Sequence, residues 1–264
     1  MRRLQWPQLV LLLWISAVLV SAMVDLHPNA INLDSILASP DSHAWLGNDD
    51  LGRNIFGRLL AGAQVSLLVA IVVTTITLSV GTTIGMLAGF YGGWLDRLLM
   101  QVTDVFLAFP GILLAIAFAA VLGPGLNNLI FALCITSWVG YARLTRAQAL
   151  SLRNRQHVLA AESLGASVPR MMGRHMLPLL AAPLVVEATY SIASLIIAEA
   201  SLSFLGLGIQ APAASWGAML RDGVRYLLVA PHYVLAVGLS LMSLVLAINV
   251  LGDRLRDYWD IAIK

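Results

Sequence analysis

The sequence predicts an all-α membrane protein with six transmembrane helices. Three observations support this prediction: an unusual composition, repeated long runs without a charge, and positive residues concentrated in alternate polar segments. Hydrophobic residues make up 59% of the 264 residues and charged residues only 11%, less than half of the roughly 25% typical of soluble domains. This small number of polar side chains cannot cover a water-facing surface. Most of the protein must therefore face lipid or other apolar helices.

The first predicted span lies near the N-terminus. Between Arg3 and Asp25 there are 21 residues without a charge, which matches the length of about 20 apolar residues that crosses a bilayer. A cleaved signal peptide is the alternative, since Arg2 and Arg3 form a basic start and Val20-Ser21-Ala22 resembles a cleavage site. The apolar stretch is longer than a signal peptide requires, and a chain that returns repeatedly to the membrane needs an anchored first span. We therefore expect this helix to be retained.

Polar residues after Asp25 predict an extramembrane loop that reaches to about residue 60. We divide the chain into an N-terminal helix with this loop (residues 1–60), a core of five helices (residues 61–253) and a tail (residues 254–264). Five further apolar blocks fall at about residues 62–91, 98–122, 126–150, 176–206 and 229–251. Glycine-rich turns separate the first three blocks, at Gly92-Gly93 and at Gly123-Pro124-Gly125.

Positive charge predicts the orientation of the six spans. If the N-terminus is cytoplasmic, twelve of the sixteen Lys and Arg residues lie on the inner side and four on the outer side, the bias expected of membrane proteins. Both termini are therefore predicted to be cytoplasmic. Lys264 is the only lysine, so the chain lacks the lysine of a P-loop ATP site. The single cysteine, Cys134, excludes an intrachain disulfide.

Residues 151–174 form the longest polar interruption on the predicted inner side. Four apolar residues there lie near helical spacing, with charges between them, and predict an amphipathic helix: Val158, Ala161, Leu164 and Ala166. Gly165 is predicted to end this helix, Ser167 and Pro169 to begin a second short one, and Pro178 to open the next span. Such a helix either contacts another protein or lies among the lipid headgroups, held by its arginines.

The segments AAESLG (residues 160–165) and HMLP (residues 175–178) resemble the coupling-loop signature of bacterial ATP-binding-cassette (ABC) import permeases. That signature is Glu-Ala-Ala, three residues, Gly, nine residues and Ile-x-Leu-Pro. Two positions depart from it, with Leu159 where glutamate is usual and His175 where isoleucine is. The departure at position 159 weakens any claim to a specific salt bridge with an ATPase. The resemblance implies that five residues couple the chain to an ATPase: Ala160, Ala161, Glu162, Gly165 and Pro178.

Further segments are similar to the dipeptide, oligopeptide and nickel branch of this permease family. They are LGNDDLGR (46–53), GFYGGW (89–94), DVFLAFP (104–110), SLSFLGLG (201–208), SWG (215–217) and NVLGDRLRD (249–257). The likeness covers about residues 31–260 and implies the type I ABC importer permease fold. It also implies the second permease subunit of the pair, with a short N-terminal region.

The resemblance implies an ATP-driven import of peptides, or of a nickel or other metal chelate, across the bacterial inner membrane. It implies a homologous second permease subunit as heterodimer partner, two cytoplasmic ABC ATPases, a periplasmic or lipoprotein substrate-binding protein and membrane lipid, but no nucleic acid. No catalytic residue, metal site or cofactor is expected in this chain, which is not an enzyme; ATP and Mg²⁺ are expected on the ATPase subunits. A secondary transporter driven by an ion gradient is the alternative, and it would need acids at a site in mid-membrane.

Three acids in the predicted spans are candidate residues of the translocation pathway: Asp104, Glu187 and Glu199. An ionisable group inside a span costs at least about 2.5 kcal/mol on insertion scales, so each needs a partner or a watery cavity. The alternative for Asp104 is that it faces cytoplasmic water. The alternative for Glu199 is a structural role, in which it joins two helices. Glu187 either lines the path, where it would meet a cation, or forms a hydrogen bond between helices. Glu187 and Glu199 lie about 120° apart around a helix and do not share a face.

Overall fold

The structure, a computed structural model, describes residues 6–24 and 26–262. Within these residues the regular structure is helical, apart from one isolated bridge between Asn48 and Asn54. The α-helices are α1 (Trp6–Met23), α2 (Ile55–Tyr91), α3 (Gly93–Leu107), α4 (Gly111–Leu122), α5 (Leu126–Leu152), α6 (Gln156–Ser163), α7 (Val168–Arg170), α8 (Leu177–Phe204), α9 (Trp216–Val224) and α10 (Pro231–Ala262). A 3₁₀ turn covers Leu33–Ser35, and a π-helical segment, Met171–Met176, joins α7 to α8. The predicted all-α class is confirmed.

Three helical runs in the described residues are long and apolar enough to cross a membrane: Ile55–Tyr91, Val168–Phe204 and Pro231–Trp259. Helices α3 and α4 make a fourth if they are taken together. The apolar part of α1, Trp6–Ser21, is shorter, and α5 has 27 residues with a more polar sequence. A multi-pass membrane protein is therefore confirmed, while the count of six spans stays a prediction.

The apolar block at residues 98–122 does not form the single straight helix that its composition suggested. Helix α3 ends at Leu107, and α4 leaves it at an angle of 82°. Pro110 lies at the break, where it has no amide hydrogen to continue the helical bonding of α3. At the other end of the chain, α10 continues beyond residue 253 through most of the predicted tail.

The chain divides into two compact units, which we describe one at a time. Unit 2 comprises residues 73–115, 133–191 and the described residues from 252 onward. In this unit α2 and α5 make close backbone contact along three glycines spaced four residues apart, Gly81, Gly85 and Gly89. A Cβ atom added at Gly85 would lie only 2.2 Å from the carbonyl oxygen of Ala142. Small residues at this spacing allow membrane helices to approach closely.

Ion pairs attach α3 to α5 within unit 2. Arg146 binds Asp96 through two nitrogens, one of them at 2.6 Å. Arg143 Nη2 lies 2.5 Å from Asp104 Oδ1. These pairs hold the amphipathic α3 alongside α5, whose charged residues begin at Arg143.

Unit 1 comprises residues 6–72, 116–132 and 192–251 as described. The loop between α1 and α2 is ordered by its own acids. Asp49 is buried, with its Oδ2 atom 2.6 Å from Arg53 Nε and 3.2 Å from Arg58 Nε. Asp41 accepts the backbone N–H groups of Ala44 and His43, and these bonds hold the pKa of Asp41 below its usual range. The predicted polar loop is therefore a folded segment.

Tryptophans join three segments of unit 1. Trp216 Nε1, fully buried, donates a hydrogen bond of 2.9 Å to the carbonyl oxygen of Leu59. The ring of Trp14 on α1 meets Trp216 edge-on, with 5.3 Å between centroids. Trp14 Nε1 also donates to Ser243 on α10 at 3.0 Å. Helix α1 is thus packed against α10 and α9 through a single aromatic residue.

Candidate coupling loop and pathway groove

Helix α6 is the short helix that the sequence predicts after the fourth span, residues 126–150. Its C-terminus forms a Schellman turn, in which the N–H of Ala166 donates to the carbonyl of Ala161 (3.0 Å) and that of Gly165 to Glu162 (2.8 Å). Gly165 has φ +77°, a left-handed conformation that glycine adopts at no steric cost. The predicted arrangement of a helix ended by glycine is confirmed as local structure.

One face of α6 packs into the core of unit 2. Val158 and Ala161 are buried, and Val158 joins a cluster with side chains from the ends of α2, α5 and α8. The cluster members are Met86, Tyr141, Ala149, Leu152, Val158, Met176, Leu180 and Leu184. Of the predicted coupling residues, Ala161 faces inward, whereas Ala160, Glu162, Gly165 and Pro178 are exposed.

Leu164 does not share the buried face of Val158 and Ala161, the apolar residues with which its spacing grouped it. The side chain is 88% exposed, and that of Leu159 is 46% exposed. The N–H of Leu164 still donates to the carbonyl of Ala160 at 3.1 Å, so Leu164 continues the helical period. Six residues after Val158, it lies about 120° around the helix from that buried side chain. The outer face of α6 therefore carries two leucines.

The chain from α7 into α8 is more continuous than predicted. Pro178 was expected to open a separate span, but it lies inside one helical run from Val168 to Phe204. Just before Pro178, the backbone hydrogen bonding changes to that of a π-helix over Met171–Met176. Proline has no N–H to donate to the carbonyl four residues earlier, and single π-helical turns within α-helices are frequent at functional sites.

A groove of about 640 Å³ lies between α5, α8 and α10 within unit 2. Its polar side chains are a carboxylate, two guanidinium groups, a carboxamide and a phenol: Glu187, Arg155, Arg256, Gln148 and Tyr190. Trp259 and a set of aliphatic residues complete the wall. Glu187 is half-buried. These groups can contact a cationic group at Glu187 and an anionic group at either arginine.

Only Glu187 among these groove residues was singled out from the sequence. Tyr190 lies three residues further along α8 and hence on the same face, and its hydroxyl donates to Asp253 Oδ1 at 2.6 Å. The three-residue spacing from Glu187 is the one sequence signal that could have identified Tyr190. Arg155 and Arg256 come from distant parts of the chain and carry no sequence pattern that links them.

The other two candidate acids have partners. Asp104 is exposed and paired with Arg143. Glu199 is 0% exposed and accepts hydrogen bonds from Ser66 (2.6 Å) and Ser203 (2.8 Å). Glu187 is therefore the candidate that borders an open groove, whereas Glu199 has the environment of a residue that pairs helices. In the described part of the chain, no three His, Cys, Asp or Glu side chains are grouped to hold a metal ion.

Residues 81–263 match the model of a protein family described as the binding-protein-dependent transport system inner membrane component. The chain belongs to this family. The resemblance read from residues 160–178 is thereby confirmed, and the protein is a multi-pass component of the inner membrane. As a transport component it is not a catalytic enzyme.

Relatives of this inner membrane component are similar over nearly its whole length. It is 43% identical over 233 residues to the dipeptide transport system permease protein DppC of Alkalihalophilus pseudofirmus, which covers 88% of this chain and 77% of the relative. Glutathione transport system permease protein GsiD is 43% identical in Pectobacterium atrosepticum and 46% identical in Escherichia coli O157:H7, covering 89% of this chain and 78% of each relative.

A solved structure supports the same fold for this transport component. An inward-facing structure of the MetNI methionine ABC transporter has a chain that aligns with a TM-score of 0.61 and 23% identity. The alignment covers 75% of this chain and 95% of that chain. At this identity the likeness shows the fold alone.

Proposed function

We propose that this chain is one of two membrane-spanning permease subunits of an ABC importer that moves short peptides, glutathione among them, across the bacterial inner membrane. The observation that carries the proposal is the 43–46% identity to permeases named for dipeptide and glutathione transport. A nickel or metal-chelate substrate gains no support from these relatives. An ion-gradient transporter, the alternative function, fits a family of binding-protein-dependent components poorly.

In this proposal the partners are a homologous second permease, two cytoplasmic ATPases and a substrate-binding protein. ATP and Mg²⁺ bind to the ATPases. This chain supplies a lever, meaning a helix that transmits movement of an ATPase to the membrane spans, and half of the translocation path. The lever is α6, and its support is that Val158 belongs to the core cluster and Ala161 is also buried. Because α6 packs against the π-helical segment, which lies in the helical run Val168–Phe204, a displacement of α6 is expected to tilt α8.

The proposed topology has six spans: α1, α2, α3 with α4, α5, α8 and α10. The excess of arginine on alternate polar segments supports cytoplasmic termini. This orientation puts α6 and the first residue of α8, Leu177, on the cytoplasmic side. Glu187 lies ten residues after Leu177, which is roughly 15 Å along the axis of α8.

The groove is the proposed inner part of the translocation path in this subunit. A carboxylate at Glu187 would attract the ammonium group of a peptide, and the path would release the substrate past Arg155 and Arg256. Its supports are the half-buried carboxylate and the open groove that it borders. No bond is made or broken in this chain; its contribution is to position the substrate and to change shape.

Reconstitution in vesicles tests the proposed function. The complete complex is placed in proteoliposomes with ATP and Mg²⁺ inside, and labelled dipeptide or glutathione is supplied outside together with the binding protein. We expect uptake to require both ATP and the binding protein. Uptake that continues without ATP and follows a proton or sodium gradient would establish the secondary transporter instead.

A further inference from the structure

The groove of unit 2 carries charged side chains at two separated places. Glu187 lies level with Gly140 on α5, because a Cβ atom added at Gly140 would be 3.5 Å from Glu187 Oε1. Arg155 lines the groove beyond the last residue of α5, Leu152. Gly140 and Leu152 are twelve residues apart, which is about 18 Å along the axis of α5. Glu187 and Arg155 therefore mark opposite ends of the groove.

A second guanidinium group belongs to the end of the groove that holds Glu187. Tyr190 follows Glu187 by three residues, about 4.5 Å along the axis of α8, and its hydroxyl donates to Asp253 Oδ1 at 2.6 Å. Arg256 on α10 donates to the oxygen of the same hydroxyl and lines the groove. Tyr190 therefore positions Arg256 near Glu187, and this end of the groove presents a positive and a negative group together.

The charged groups of the groove define the ligand that matches it. Among the described residues that line the groove, two guanidinium groups accompany one carboxylate. A guanidinium group binds a carboxylate through two parallel hydrogen bonds, and a carboxylate binds an ammonium group. The matching ligand therefore has an ammonium group and a carboxylate together at one end, as a free amino acid does, and a second carboxylate at the other end. The volume of about 640 Å³ is that of a small-molecule site.

The length of the groove separates a tripeptide from a dipeptide. An extended chain spans at most about 3.6 Å per residue, so a dipeptide covers about 7 Å and a tripeptide about 11 Å. A tripeptide held at Glu187 can reach the long side chain of Arg155, which covers the remaining distance, whereas a dipeptide ends short of it. The ligand is therefore at least three residues long.

We propose that the groove binds a γ-glutamyl tripeptide such as glutathione at three points. Glu187 binds the ammonium group of the γ-glutamyl residue, Arg256 binds its α-carboxylate, and Arg155 binds the carboxylate of the last residue. A γ-glutamyl residue keeps its ammonium group and its α-carboxylate free, whereas the first residue of an ordinary peptide has lost its α-carboxylate to the peptide bond. This inference rests on the proposed function, since it names the substrate class of the same groove.

Binding of radiolabelled glutathione to the complete complex in phosphatidylcholine nanodiscs, without ATP or binding protein, tests the three-point site. One cycle combines Arg155→Gln with glutathione amidated at its glycine carboxylate. Each change alone is expected to weaken binding about tenfold, because it removes a charge-assisted pair. Both changes together should weaken binding no further, because they remove the same contact. Arg97→Gln is the matched control, since Arg97 is exposed on α3 and is not among the residues that line the groove.

A second cycle tests the other arginine. Arg256→Gln is combined with γ-aminobutyryl-cysteinyl-glycine, an analogue of glutathione that lacks the α-carboxylate. The same pattern is expected, with a loss of about tenfold for either change and no further loss for both. The altered ligands are also measured on the wild-type complex, so each contact is tested without relying on the folding of a variant.

The outcomes separate the site from the proposed function. Additive losses in either cycle, or no saturable binding by the wild-type complex, would overturn the three-point site. Loss of glutathione binding when phosphatidylglycerol replaces phosphatidylcholine would assign the arginines to lipid headgroups and overturn it as well. The proposed function is measured by ATP-dependent uptake in proteoliposomes. A complex that imports dipeptide but fails these binding tests keeps the proposed function and loses the site, whereas a complex that imports no peptide loses the proposed function.

Discussion

The hydroxyl group of Ser66 on α2 donates a hydrogen bond of 2.6 Å to Oε2 of Glu199 on α8. Ser203 donates to Oε1 of the same carboxylate at 2.8 Å. Both contacts lie within unit 1, and they join two helices that are 133 positions apart in sequence at the bonded residues. Glu199, one of the candidate residues of the translocation pathway, is therefore enclosed by protein, and each of its carboxylate oxygens accepts a hydrogen bond.

Removal of the Ser66 hydroxyl should destabilise the protein. Ser66→Ala leaves one oxygen of a buried carboxylate without its partner, which costs about 1–3 kcal/mol. The expected result is a lower midpoint of thermal unfolding for the purified complex, with import by the folded fraction preserved. Ser79→Ala is the control, since Ser79 is exposed on the same helix and bonds only to its own helical turn. Equal midpoints for the two variants would contradict the assigned role.

Glu187→Gln tests whether Glu187 lines the translocation path. The substitution keeps the shape and hydrogen-bonding groups of Glu187 but removes its charge, so import of a cationic peptide should fall while ATPase stimulation by the binding protein is preserved. Import assays in proteoliposomes with cationic and neutral peptides measure this. A parallel loss of stability and of both activities would mean that Glu187 pairs helices. Normal import with normal stability would remove it from the site.

Gly165→Leu tests the lever. A Cβ at Gly165 meets nothing within 4 Å, but the backbone has φ +77°, which costs other residues roughly 1–2 kcal/mol. The Schellman turn should therefore shift while the rest of the chain folds, so that ATP hydrolysis and import become uncoupled. Gly238→Leu is the control, because Gly238 also has open space and lacks a positive φ. An import rate per ATP unchanged in Gly165→Leu would exclude the lever role of this turn.

Reporter fusions test the topology. A reporter attached after Lys264 should be active in the cytoplasm, and one inserted near Ser42, in the exposed loop after α1, should be active in the periplasm. The arginine distribution is the physical reason. The reverse pattern would overturn both the six-span topology and the assignment of α6 to the cytoplasmic side.

Local patterns in the sequence determined several features of this protein. Charge-free stretches located the apolar helices, because a backbone in lipid must satisfy its hydrogen bonds internally. Gly165 marked the end of α6, because few other residues adopt a left-handed conformation cheaply. The spacing of residues 159–178 also identified the family, which the relatives confirmed. Each of these signals is carried by neighbours in the chain.

Only the tertiary structure decided the features that depend on distant segments. The environments of Glu187 and Glu199 could not be distinguished by composition, because only folding brings Ser66 to Glu199 and places Arg256 in the same groove as Glu187. Leu164 was grouped with Val158 by its approximate spacing, yet it lies about 120° around the helix from Val158 and is exposed. The spacing of residues in the sequence predicts which side chains share one face of a helix. Contacts between distant segments determine whether that face packs on protein, lines a groove or stays exposed.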